Sequence, residues 1–137
     1  MNVVLSIRPH HAKEILDGLK KYEFRKSIFK NRDIETVYIY TTRPIQRIEG
    51  LFTIGSIHEG RPKMLWGRFG EHSGLEERSF FEYFKGVNKG FAIGIEAPHR
   101  FSTPIDPKER ILGFHPPQNF CYISDRLHDS RNERKPS

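Results

Sequence analysis

The chain has 137 residues, 36% of them hydrophobic, with 11 Phe, 5 Tyr and 1 Trp, which is enough for one domain with an aromatic-rich core and too little for separate catalytic and regulatory domains. Its apolar runs, of which Val3-Val4-Leu5 is typical, are strand-sized and far below the roughly 20 residues that cross a bilayer, and the N-terminus lacks the layout of a signal peptide, so the expectation is a cytoplasmic protein with no membrane partner. Cys121 is the single cysteine, which excludes an intrachain disulfide, and 23 Lys+Arg against 17 Asp+Glu leave a net charge of +6 that favours anionic partners.

Val3-Val4-Leu5-Ser6-Ile7 has the β-branched character of a buried strand, and Arg8-Pro9 stops it while opening a helix. Ala12, Ile15, Leu16 and Leu19 recur at three- and four-residue spacing, which predicts a helix over 9–17 with Gly18 as its left-handed terminator. Residues 21–25 alternate, placing Tyr22 and Phe24 on one face and Lys21, Glu23 and Arg25 on the other. Residues 35–42 read as a core strand ended by Arg43-Pro44. Residues 47–58 read as a long strand with bends at Gly50 and Gly55.

Pro62 opens a short helix carrying Met64, Leu65, Trp66 and Phe69. Ser73-Gly74-Leu75-Glu76 has the spacing of a capping box, predicting a helix from there with Phe80, Phe81 and Phe84 on one side and Gly86 at its end. Residues 90–96, 100–105 and 119–123 read as three further strands, the last after Pro116-Pro117. Residues 1–124 are therefore expected to form one α+β domain built on a small β-barrel with two or three short helices. Residues 125–137, polar apart from Leu127, are expected to be a flexible tail.

Several chemistries lack their signatures. The seven histidines show no H-x-x-x-H spacing and no cysteine company, so no metal site is assigned, and His10 and His11 read as solvated or capping residues at a helix start. No G-x-S-x-G elbow, G-x-G-x-x-G turn or phosphate-binding P-loop occurs, so no cofactor is expected.

The informative stretch is Gly18-Leu19-Lys20-Lys21-Tyr22-Glu23-Phe24-Arg25. It reads G-x-K-x-x-E-x-R across a helix end and the strand that follows. Alternation sets Glu23 and Arg25 side by side with Lys20 just before them, so three polar heads can converge; the plainer reading is an exposed ion pair on a solvated face. With Glu23 and Arg25 as a cleft pair open to solvent, Arg25→Lys is expected to impair ligand binding and leave stability nearly unchanged. Lys20, Lys21, Arg25, Lys26, Lys30 and Arg32 fall in thirteen residues that hold one acid, Glu23, and such a cluster is suited to phosphates. Tyr40 and Trp66 sit in periodic apolar segments and belong first to the core, with base stacking as the alternative.

The motif, complete at all four positions, resembles the hallmark of the ASCH (activating signal cointegrator homology) family. The layout over roughly residues 3–123 is also similar: LSIRPHHAKEILDG before the motif, VYIYTTRPIQRIEGLFTIGSI after it, then SFFEYFKG and PPQNFCYI. The resemblance implies a PUA-like β-barrel with a cleft lined by the motif, and RNA or a nucleotide as partner. It implies two enzymatic alternatives, an amidohydrolase of acylated cytidine or a ribonuclease, and an interaction module with a protein partner in transcription or translation is a third. For an enzyme, Lys20 is the expected nucleophile or proton-transfer base, with Glu23 as proton shuttle and Arg25 steadying negative charge. The amidohydrolase pattern has threonine where this chain has Glu23, and it requires an upstream acid for which Glu71 is the candidate. For binding, Lys20, Lys21, Arg25, Lys26, Lys30, Arg32 and Tyr40 are the expected contacts.

Overall fold

The computed structural model describes residues 1–124 and 126–128. Its elements run β1 (Asn2–Ile7), α1 (Pro9–Leu16), β2 (Tyr22–Arg25), β3 (Thr36–Thr41), β4 (Arg47–Gly60), α2 (Pro62–Phe69), a 3-10 turn (Gly70–His72), α3 (Glu77–Tyr83), β5 (Gly90–Ile105), α4 (Pro107–Arg110) and β6 (Phe120–Ile123). The six strands form one sheet in the order β2-β5-β4-β3-β1-β6. Only β1 and β3 pair in parallel, across the α1-β2 crossover; the other neighbours are antiparallel.

The sheet curls into a half-barrel because its two longest strands are bent. The β4-β5 register shifts at three places, between Ile48 and Gly50, Leu51 and Thr53, and Ile54 and Ser56, and bulges of this kind sharpen local twist. At Gly50 a Cβ would lie 2.3 Å from the His99 carbonyl oxygen, so glycine is what lets the strands approach there. The two strands expected over 90–96 and 100–105 are one strand, bent where Ala97 takes a φ of 46°.

Three apolar clusters hold the sheet. One packs α1 through Ala12, Ile15 and Leu16 against Val3, Leu5, Val37 and Ile39. A second, on the other side, gathers Tyr38, Tyr40, Ile48, Phe101 and Phe114. The third seats α2 and α3 on Phe24 and Ala92 through Leu65, Phe69, Phe80 and Phe84.

Among the described residues four short helices are present where two or three were expected. The capping box does not form: α3 starts at Glu77 with no side-chain cap, and the Ser73 hydroxyl donates to the Gly70 carbonyl and accepts from the Leu75 amide in the turn before it. Within the expected tail, Leu127 is 1% exposed and belongs to the second cluster, its backbone amide donating to the Tyr38 hydroxyl. Residues 125 and 129–137 of that tail lie outside the described residues. No described helix is long and apolar enough to cross a membrane.

Candidate active site in the motif cleft

Gly18 ends α1 with a φ of 78°, and the Gly18 and Leu19 amides donate to the Ile15 and Glu14 carbonyls, the two bonds of a Schellman stop. The chain then turns into β2. The Lys20 amide is held on the Glu14 carbonyl and the Lys21 amide on the His72 carbonyl at 2.7 Å, so the lysine of the motif is fixed on both sides before its side chain makes any contact.

That side chain points inward. Lys20 is 1% exposed, its ammonium donates to the Ser73 carbonyl, and Nζ lies 3.6 Å from Glu23 Oε1. Glu23 is 7% exposed, and its other oxygen, Oε2, accepts from Arg25 Nε at 2.9 Å and from Arg25 Nη2 at 2.6 Å. Each carboxylate oxygen thus faces its own cation. Arg25 continues across the cleft, with Nη2 donating to the Ser6 carbonyl and Nη1 to Asn119 Oδ1, both at 2.8 Å.

Burial sets the electrostatics. For Lys20, loss of water pulls the ammonium below its ordinary pKa, against the opposing attraction of Glu23. For Glu23, burial pushes the carboxyl up, but the charges of Arg25 and Lys20 outweigh it and hold the group below the ordinary range. The solvated-face reading of the motif is therefore overturned, and with it the expectation that Arg25→Lys leaves stability unchanged. Removing one partner of a buried pair costs about 3–5 kcal/mol.

These groups lie in the floor of a cleft of about 900 Å³. Ser6, Arg8 and His11 form one wall, Lys26 and Ser27 continue from β2, Ser79 and Tyr83 project from α3, and Pro117, Gln118 and Asn119 close the far side. Lys26 stands over the Tyr83 ring, Nζ 4.7 Å from its centroid. The sequence suggests a solvated or capping His11, yet it lines the cleft and its Nδ1 is buried without a hydrogen-bond partner. Burial first, then the Lys20 charge, lowers its pKa. Its place on the wall follows from helical phase: His11 precedes the inward Ile15 by four residues.

The remaining assigned residues divide. Lys21, Lys30 and Arg32 are exposed and do not line the cleft; the Arg32 guanidinium sits 5.9 Å from the centroid of the Phe91 ring. Tyr40 is 3% exposed and packs its ring on Phe114, so it has no free face for a base, and the stacking assignment is withdrawn. Trp66 packs on Phe80, also away from the cleft. Glu71 is exposed and outside the cleft lining. No group of three metal-ligating side chains occurs among the described residues.

The curled six-strand sheet with short helices is a PUA-like half-barrel, the fold of solved ASCH structures. The crystal structure of ASCH from Zymomonas mobilis superposes with a TM-score of 0.83 at 31% identity, covering 89% of this chain and 87% of that one. A mutant of the same protein gives 0.84 at 31% identity over the same shares. In sequence, the ASCH domain-containing ribonuclease of Zymomonas mobilis is 32% identical over 123 residues, 88% of this chain and 82% of the relative. The large ribosomal subunit protein uL22 of Ureaplasma parvum is 22% identical over 107 residues, 78% of this chain but 34% of that longer protein. No family model matches the chain. The chain belongs to the ASCH domain family.

Proposed function

We propose that this chain binds RNA in the motif cleft and cleaves it there, acting in the cytoplasm as a single domain whose core takes in Leu127 beyond residues 1–124. The observation that carries the reading is a lysine buried against a carboxylate in the floor of a cleft whose exposed rim holds Arg8 and Lys26. A solvated basic face needs no such arrangement.

Phosphodiester cleavage requires a group that exchanges a proton with the attacking or leaving oxygen and cations that meet the charge building on phosphorus oxygens. Lys20, its ammonium made easier to deprotonate by burial, supplies the first. Glu23, ionised and bridging Lys20 to Arg25, orients that ammonium and can relay its proton. Arg8 and Lys26 supply the second need at the rim, and Lys21, Lys30 and Arg32 extend positive charge beyond it. Similarity to a relative named a ribonuclease supports RNA as the substrate. The position of Glu71 outside the cleft gives the acylated-cytidine alternative no comparable support.

The test incubates the purified protein with end-labelled single-stranded RNA and, separately, with N-acetylated cytidine, and resolves the products. Wild-type protein is expected to shorten the RNA and leave the nucleoside intact. Lys20→Arg, which keeps the charge but does not deprotonate in the working range, is expected to keep RNA binding and lose cleavage by about 100-fold or more. Lys20→Met serves as a second variant should the larger arginine disturb packing. Turnover of the nucleoside with RNA left whole would replace this reading with the amidohydrolase one.

A further inference from the structure

Helix α3 separates the motif cleft from a second, smaller depression of about 580 Å³, lined among others by Arg61, Lys63, Phe81, Phe84 and Lys85. Three cations and no acidic side chain line it. Among the described residues, none of those three side chains has an ion-pair or hydrogen-bond partner. Phe81 is 37% exposed.

The helix repeat explains how one short element serves two depressions. Residues four apart share a flank: Ser79 and Tyr83 face the motif cleft, Phe80 and Phe84 face the core, and Phe81 and Lys85 face the second depression. Arg78 and Glu82 are exposed on the outer crest as charges of opposite sign. At the end of α3 the Tyr83 ring, which lines the motif cleft, meets Phe84, which lines the second depression, edge-on with centroids 4.8 Å apart. Lys26 over Tyr83 and Lys85 two residues beyond continue the positive charge around that corner.

We propose that this depression is a second nucleic-acid subsite, which takes the single-stranded RNA flanking the nucleotide held in the motif cleft. This rests on the RNA reading above and deepens it by naming the form of RNA. Unpaired cations suit backbone phosphates, and an exposed aromatic ring among them suits a base face. An acidic peptide would use the cations and leave the ring without a role. A duplex is disfavoured by shape, since the path crosses a helix about 10–12 Å across and requires a chain that can bend over it.

Fluorescence anisotropy with labelled single-stranded RNA of three and of twelve nucleotides tests this, on wild-type protein and on the triple variant Arg61→Ala, Lys63→Ala, Lys85→Ala. The wild type is expected to hold the 12-mer more tightly than the trinucleotide. The triple variant is expected to lose about 10- to 100-fold in 12-mer affinity, with the slope of log K against log salt reduced by about 2, while trinucleotide binding is unchanged. Phe81→Ala is expected to weaken the 12-mer about fivefold or more, again sparing the trinucleotide. If the trinucleotide binds but length brings no gain, or the triple variant keeps the wild-type 12-mer affinity and salt slope, the subsite is overturned and the motif-cleft reading stands. If the triple variant keeps the 12-mer but loses a polyglutamate peptide that the wild type binds, the face belongs to an acidic protein instead. Failure of the wild type to bind either RNA overturns the RNA reading itself, and the subsite with it.

Discussion

Lys20 and Glu23 are each other's justification for being buried: an ionised group taken out of water survives only with a partner and satisfied hydrogen bonds. The linkage to pH follows from the two shifts. Glu23 has its folded pKa held below the ordinary 4.5, so between that folded value and 4.5 the unfolded chain binds more protons. The stabilisation is therefore complete above the ordinary range and lost as pH falls through the folded pKa. We expect the melting temperature to fall on acidification below about pH 4.5, and Glu23→Gln to cost about 3–5 kcal/mol at neutral pH while flattening that acid limb. Lys20 has its folded pKa below the ordinary 10.5, so the unfolded chain again binds more protons between the two values and stability rises with pH in that alkaline window. Lys20→Met should remove the rise. Thermal melts across the pH range check both expectations. An unchanged acid limb in Glu23→Gln would show that other carboxylates govern it.

At the scale of elements, local pattern gave what local physics decides. The helix read over 9–17 is Pro9–Leu16 because Ala12, Ile15 and Leu16 bury one stripe and Gly18 supplies the left-handed stop; the long strand through Gly50 and Gly55 is bent as its glycines suggest. The Ser73 signature misled because the Ser73 oxygen, whose hydrogen goes to the Gly70 carbonyl, accepts from the Leu75 amide in a turn ahead of the helix, and α3 begins at Glu77, four residues beyond Ser73. The burial of Lys20 was not legible, since it depends on a carbonyl fifty-three residues away in sequence, and charge periodicity alone reads as solvated. Two glycines test how closely elements are fitted. Gly50→Ala would place a Cβ 2.3 Å from the His99 carbonyl oxygen and 2.7 Å from Leu16 Cδ2, and should cost about 1–3 kcal/mol through crowding. Gly67, inside α2 with nothing within 4 Å of its Cβ position, should gain up to about 1 kcal/mol as alanine through helix propensity. Chemical denaturation of the two variants measures these opposite signs.

For the whole molecule, the arginine of the motif has a second task that its place in the strand order makes plain. β2 is one edge of the sheet and β1-β6 the other, yet Arg25 on β2 donates to the Ser6 carbonyl on β1 and to Asn119 beside β6. Asn119 in turn donates to the Ser27 hydroxyl at 3.0 Å, and its carbonyl accepts from the Ser6 amide at 2.9 Å. The guanidinium thus ties together the two edges of a curled sheet whose strands never pair there, and the cleft exists because side chains, rather than a backbone ladder, span the gap. Four of its N–H groups are committed within the protein, so its planar fork holds the fold. A lysine in its place has no planar fork and cannot span Glu23, Ser6 and Asn119 together. Arg25→Lys is therefore expected to lose about 3 kcal/mol, a fall of roughly 10 °C in melting temperature for a domain of this size. Amide exchange should rise in β2 and β6 while the β3-β4 centre keeps its protection, because the edges open before the core does. Uniform protection across all six strands in that variant, with an unchanged melting temperature, would mean that the sheet holds its curl without the arginine and that Arg25 serves the ligand alone.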